Sequence, residues 1–212
     1  VDVTPEQLTI TPGIPAQSET VVSANVVDPT ETVSATCSYF DLFGNPVDGL
    51  EASLFVMAGN GGSDGETGLT QVDMSFSATQ AGEYYVFCTS PGYNAGDESP
   101  AQVTVIPGLP YSWVIDTLEQ DCYWQDRNIP IEWTVYDFWG NPVPEVDVQV
   151  TSIPDAGFIV VGDGTYRLAA EADYDLTVEL MSPRHPESTI EPYTLNVRVD
   201  STPPRVVFDA PL

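Results

Sequence analysis

The sequence contains no lysine. Its basic residues are Arg127, Arg167, Arg184, Arg198 and Arg205, with one histidine, His185, against 32 acidic residues, and the formal net charge is −27. No basic side chain precedes Arg127. A field of that sign repels nucleic acid and anionic lipid, so neither is an expected partner. No apolar run approaches the ~20 residues that cross a bilayer as a helix, which argues against membrane insertion. A single histidine leaves little room for catalysis or zinc. His185 lies in Ser182-Pro183-Arg184-His185-Pro186, where flanking prolines lead one to expect an exposed loop; a triad would need a nucleophile beside it and a carboxylate behind it, and zinc needs more ligands than one His and a remote Cys. Pairs of acids that would suit glycoside cleavage can always be picked from so many carboxylates. They mean nothing without a cleft, and no pattern here points to an enzyme. Nor is there a sustained 3.6-residue apolar period, so helices are not expected. The chain has neither an initiator methionine nor a signal peptide and opens in mid-phrase at Val1, as an excised piece of a longer protein would.

What is present is a repeated phrase. Asp41-Leu42-Phe43-Gly44-Asn45-Pro46-Val47 returns as Asp137-Phe138-Trp139-Gly140-Asn141-Pro142-Val143, with Gly44 and Gly140 standing 96 positions apart. Around each copy, glycines and prolines separate short alternating runs. The first set is 33–37, 52–56, 84–88 and 102–105; the second is 131–135, 146–150, 176–180 and 195–199. Period two, with β-branched and aromatic residues, marks half-buried strands. Apolar residues make up 42% of the chain, enough to fill cores despite the charge. The expected fold is all-β: two tandem antiparallel Greek-key sandwiches. Ile106-Pro107-Gly108-Leu109-Pro110 reads as a stiffened joint, because each proline fixes a φ angle. The boundaries this sets are 1–107 and 108–204, with 205–212 the start of a following repeat or a linker. Val-Asp-x-Thr-Pro opens the chain at Val1 and recurs at Val199, as in a tandem array.

A strand ending in Asp, then Gly-Asn-Pro-Val, then later Ala81-Gly82-Glu83-Tyr84 (more loosely Glu171-Ala172-Asp173-Tyr174), resembles the bacterial immunoglobulin-like repeats of the invasin and intimin type. The resemblance covers both units on few positions. It implies an immunoglobulin-like sandwich and a role in rod-like surface proteins, and it carries over no catalytic residue. The acidity and the cysteines depart from the usual pattern of such repeats. In an immunoglobulin-like order Cys37 and Cys88 fall on the second and sixth strands, in opposite sheets, where that fold places its bridge. Aligned on the turn and on Tyr84/Tyr174, they correspond to Trp133 and Val178, so both sulfurs give way together to apolar residues. A bridge argues for an exported, extracellular or cell-surface location; the alternative is two separate buried thiols. Cys122 reads as a third, buried thiol, since Asp121 and Asp126 nearby disfavour a reactive thiolate.

Asp41 and Asp137 precede turns whose amides a carboxylate can accept. The acid excess reads either as a solvated surface, suited to salty water, or as calcium ligation. If calcium binds, the loop order puts Asp64, Glu66 and Asp137 at the joint between the units; no other cofactor is expected. Among the aromatics of the second unit, Trp124 and Trp139 are the ones to stack on a sugar or contact a protein, while Phe138 and Trp139 could instead pack onto the Pro107–Pro110 joint. Together these features suggest a non-enzymatic extracellular spacer of a surface or secreted multidomain protein, adhesion-related, with neighbouring repeats of the same chain as its partners. A carbohydrate- or protein-binding module is the alternative.

Overall fold

A computed structural model describes residues 9–59, 68–116, 118, 122–162 and 164–202. The chain divides into two compact units, Val1–Gly108 and Leu109–Leu212. Every element among the described residues is a strand, with no helix.

Unit one contains β1 (Pro15–Val22), β2 (Val26–Val27), β3 (Val33–Asp41), β4 (Ser53–Ala58), β5 (Thr70–Val72), β6 (Ser75–Ser77), β7 (Gly82–Thr89) and β8 (Ala101–Val105). They form two four-stranded sheets, ordered β1-β3-β6-β5 and β2-β8-β7-β4. This is the Greek-key sandwich of immunoglobulin-like domains, with β2 added parallel to the last strand. Alternation decides what is inside. Val33, Ala35 and Phe76 from one sheet meet Leu54, Val56, Tyr84, Val86, Val103 and Val105 from the other.

Unit two contains β9 (Ser112–Ile115), β10 (Cys122–Tyr123), β11 (Asn128–Pro130), β12 (Trp133–Tyr136), β13 (Val148–Ile153), β14 (Phe158–Gly162), β15 (Thr165–Leu168), β16 (Ala172–Leu180) and β17 (Tyr193–Val199). The sheet β10-β17-β16-β13 repeats the second sheet of unit one strand for strand. Register matches as well: Tyr84 pairs with Val103 as Tyr174 pairs with Val197, and Val27 lies parallel to Val105 as Tyr123 does to Val199.

The other sheet of unit two differs from expectation. The run at 131–135 reads as one strand, but the counterpart of β3 is divided into β11 and β12. β11 pairs with β15, as β3 pairs with β6, and β12 pairs with β9, as β3 pairs with β1. Pro130 ends β11. It lacks an N–H and locks its φ, so a ladder cannot run through it.

The two units also close corresponding ends differently. In unit one β1 brings Ser18 and Thr20 inward, opposite Tyr39 and Cys37. The Cys37–Cys88 disulfide joins the two sheets there, with Cα atoms 5.6 Å apart. Around it the Ser18 hydroxyl donates to the Cys88 carbonyl (3.0 Å), the Cys88 amide donates to Thr20 Oγ1 (2.9 Å), and the Tyr39 hydroxyl donates to the Thr89 carbonyl (2.6 Å). In unit two the register puts Trp113, Ile115, Trp133, Val135, Val178 and Leu180 at the positions of Ser18, Thr20, Cys37, Tyr39, Cys88 and Ser90. One unit is therefore closed by a covalent bond within a polar shell, the other by apolar packing.

The bridge closes a loop with a sequence separation of 51, which on the chain-entropy model is worth about 4 kcal/mol to unit one. Reduction, or Cys37→Ser with Cys88→Ser, is expected to lower the melting transition of unit one and leave that of unit two in place. Differential scanning calorimetry with and without reductant checks this.

Candidate functional site

Among the described residues, the duplicated turn is a densely hydrogen-bonded polar site in each unit. In unit one, Asp41 ends β3 and its side chain is only 2% exposed. Oδ1 accepts from the amides of Phe43 and Asn45, both at 2.9 Å; Oδ2 accepts from Asn45 Nδ2 at 2.9 Å and from the Gly13 amide at 2.9 Å. The backbone closes the same loop, with the Asp41 amide donating to the Asn45 carbonyl and the Gly44 amide to that of Asp41. Gly44 has φ +79°, a left-handed conformation that a residue with a Cβ adopts at a cost. Pro46 then needs no partner for a missing N–H, and the Val47 amide returns to the Tyr39 carbonyl.

Unit two builds the same object. Asp137, also 2% exposed, accepts at Oδ1 from Trp139 N (2.9 Å) and Asn141 N (2.8 Å), and at Oδ2 from Asn141 Nδ2 (2.7 Å). Gly140 has φ +83°, and Val143 N donates to the Val135 carbonyl. The repeated Asp is thus an acceptor for its own turn, as expected. Hydrogen bonds to the charged form, chiefly from the Asn45 side chain and then from the Gly13 and Asn45 amides, hold the Asp41 carboxyl well below the usual carboxylate range.

The other expected site residues are dispersed. Of the calcium ligands, Asp64 and Glu66 lie outside the described residues, while Asp137 has its carboxylate in the turn. Among the described residues no group of three or more His, Cys, Asp or Glu side chains is placed to hold a metal. The segment 205–212, expected to be the start of a following repeat or a linker, also lies outside the described residues. Trp139 is half-buried at the β12–β13 turn, its ring edge-on to Phe138 at 5.5 Å. Phe138 in turn meets Tyr111 at 5.0 Å, the residue following Pro110. Trp124 is 54% exposed and follows β10, which pairs with the end of β17. The register therefore sets Trp124 and Trp139 at opposite ends of unit two, and they do not form one platform. An open depression of about 320 Å³ lies beside Trp124, lined by Cys122, Tyr123, Asp200 and Thr202.

Two expectations are corrected. Cys122 is exposed, not buried, because β10 alternates and it is Tyr123 that enters the core. His185 is half-buried rather than free in a loop: its amide donates to the Pro110 carbonyl at 3.1 Å, its Nδ1 accepts from the Glu187 amide at 3.2 Å, and its ring faces Tyr111. The sequence also gives no sign of the buried hydroxyls of Ser18 and Thr20. Isolated polar residues in a strand look alike whether they face water or a bridge.

Two tests follow from the turns. Because folding depresses the Asp41 pKa, its stabilisation is complete above the ordinary carboxylate value near 4 and is withdrawn as pH falls below it. The melting temperature of unit one is expected to drop through that acid range, and Asp41→Asn is expected to flatten the drop; thermal melts between neutral and acid pH measure both. Asp137→Ala leaves buried donors without an acceptor and is expected to destabilise unit two by roughly 1–3 kcal/mol, read from denaturant unfolding.

Comparison of the sequence with protein-family models and with curated proteins finds no match. Solved structures do match. Yersinia pseudotuberculosis InvD superposes with a TM-score of 0.53 at 16% identity, over 86% of this chain and 58% of that one. Invasin, a bacterial integrin-binding protein, superposes with a TM-score of 0.55 at 14% identity, over 86% of this chain and 40% of that one. The Escherichia coli adhesin FdeC matches at 20% identity and a TM-score of 0.46, over 87% of this chain and 64% of that one. This chain thus spans less than two thirds of the length of each. At such identities the likeness is one of fold alone, an immunoglobulin-like sandwich like those of InvD and invasin.

Proposed function

We propose that the chain is a non-enzymatic spacer: a pair of immunoglobulin-like repeats in an exported, multidomain bacterial surface protein with a role in adhesion. The observation that carries this reading is the duplicated turn. The polar site that recurs in both units spends its carboxylate on the amides of its own loop, as in a load-resisting body whose chemistry is directed inward. The matched strand registers of the two units support a repeat array, and the disulfide supports an oxidising compartment. Likeness in fold to an integrin-binding protein supports the surface setting. Among the described residues no helix is long and apolar enough to cross a membrane.

A spacer is mechanical, so the test is mechanical. When the chain is pulled from its ends, two separate force peaks are expected, one per unit. With the bridge intact, extension of unit one is shortened by the loop it encloses. A sequence separation of 51 corresponds to roughly 170 Å at ~3.3 Å per residue, and reductant restores that length. Extension without resistance, like that of an unfolded chain, contradicts the spacer. So does binding of a glycan by the wild type that Trp139→Ala or Trp124→Ala abolishes.

A further inference from the structure

Because the two units share one body, each serves as a control for the other. A residue that the fold itself requires should be matched at the equivalent register position; an apolar residue on the solvent face of one unit alone needs another reason. The outward face of β4 and β7 is such a case. Phe55 pairs with Phe87 and Met57 with Tyr85 across these strands. Phe55 is 56% exposed and Met57 45%; the two Phe rings lie 6.1 Å apart, tilted by 47°. The equivalent pairs on β13 and β16 are Thr151 with Thr177 and Ile153 with Asp175. Ile153 matches Met57 as an exposed apolar residue (73%), but the aromatics have no match: the rest of this face in unit two is polar, with Asn196 donating to Asp175 at 2.6 Å and Arg198 set 3.9 Å from Asp173. The sandwich therefore closes without aromatics at these positions, and the core of unit one lies on the other side of the sheet.

We infer that the β4–β7 face of unit one is a docking surface for a polypeptide partner rich in lysine or arginine. Aromatic residues and methionine are the types enriched in protein interfaces. The charge names the kind of partner. No basic side chain occurs before Arg127, so nothing in unit one's own sequence neutralises its acids. Glu83, on the same face of β7, accepts from the Tyr85 hydroxyl at 3.3 Å, and Glu51 precedes β4; both are exposed, and they stand at opposite ends of the apolar strip. A cationic segment lying along the strip sets its charges over aromatic faces and between those carboxylates. A second copy of this chain would bring the same uncompensated acids together, which electrostatics disfavours. The tilt of the phenyl rings and their lack of polar groups suit a sugar less well. This surface goes beyond the spacer role and stands or falls separately from it.

The test uses the whole chain and matched synthetic peptides that differ only in carrying lysines, glutamines or glutamates. The lysine peptide is expected to bind most tightly, to weaken as salt is added, and to shift the NMR signals of Phe55, Met57, Tyr85 and Phe87. Phe55→Thr with Phe87→Thr, the residues unit two already uses, is expected to lower affinity roughly tenfold or more at an unchanged melting temperature. Glu51→Gln with Glu83→Gln is expected to weaken lysine-peptide binding while leaving both aromatics in place, an arm that holds even if the threonine variant folds poorly. Absence of lysine-peptide binding, equal binding of the glutamate peptide, or shifts confined to other faces overturns the proposal. So does self-association, or glycan binding, that the threonine variant removes.

Discussion

A carboxylate buried at the end of a strand is costly unless donors surround it. In both units that requirement is met locally: the residues two and four positions further on supply the amides, and an asparagine side chain supplies another donor. Satisfying the charge fixes the turn, and the turn fixes how the chain leaves one sheet and enters the other. Once that exit is set, the period of two determines which side chains of the next strand face the core. The positive φ of Gly44 and Gly140, the proline after each asparagine and the returning amides of Val47 and Val143 all follow from one geometry. That a phrase of seven residues recurs while most of the surrounding sequence does not is then physically reasonable. The interior tolerates exchange of one apolar group for another, whereas a buried charge tolerates little.

The comparison of the two units separates what the fold needs from what it permits. The end of the sandwich near β1 and β7 has to be closed, but the means is free: a disulfide with buried hydroxyls in unit one, tryptophan, valine and leucine in unit two. The strand after the first sheet edge has to pair with two neighbours, but it can do so whole, as β3, or divided at a proline, as β11 and β12. The outer face of the sheet has to be compatible with water; where unit one carries Phe55 and Phe87, unit two has Thr151 and Thr177.

Much of this was legible in the residues. The Asp-x-x-Gly-Asn-Pro-Val phrase combines a local acceptor, a glycine for left-handed backbone and a proline, so its turn could be read directly. The alternating runs gave the main strands, and the joint replacement of Cys37 and Cys88 by Trp133 and Val178 pointed to two positions in contact. Other features were hidden for identifiable reasons. The run 52–56 reads as half-buried, but in Leu54-Phe55-Val56-Met57 both faces are apolar, so the period alone does not say which face meets water. The exposure of Cys122 depended on the phase of a strand only two residues long, too short for periodicity to fix. Residue type alone groups Trp124 with Trp139, and only strand order shows that they belong to opposite ends of the unit.

The dependence of each sandwich on its buried carboxylate is tested most directly by amide hydrogen exchange, resolved by residue, on the whole chain under native conditions. The amides of Phe43, Asn45, Trp139 and Asn141 lie in loops, where exchange is ordinarily fast, yet they are expected to be protected to a degree approaching that of the strand amides of Val86 and Val178. Exchange of those four amides at the rate of an unstructured peptide, while the strands stay protected, would contradict the account.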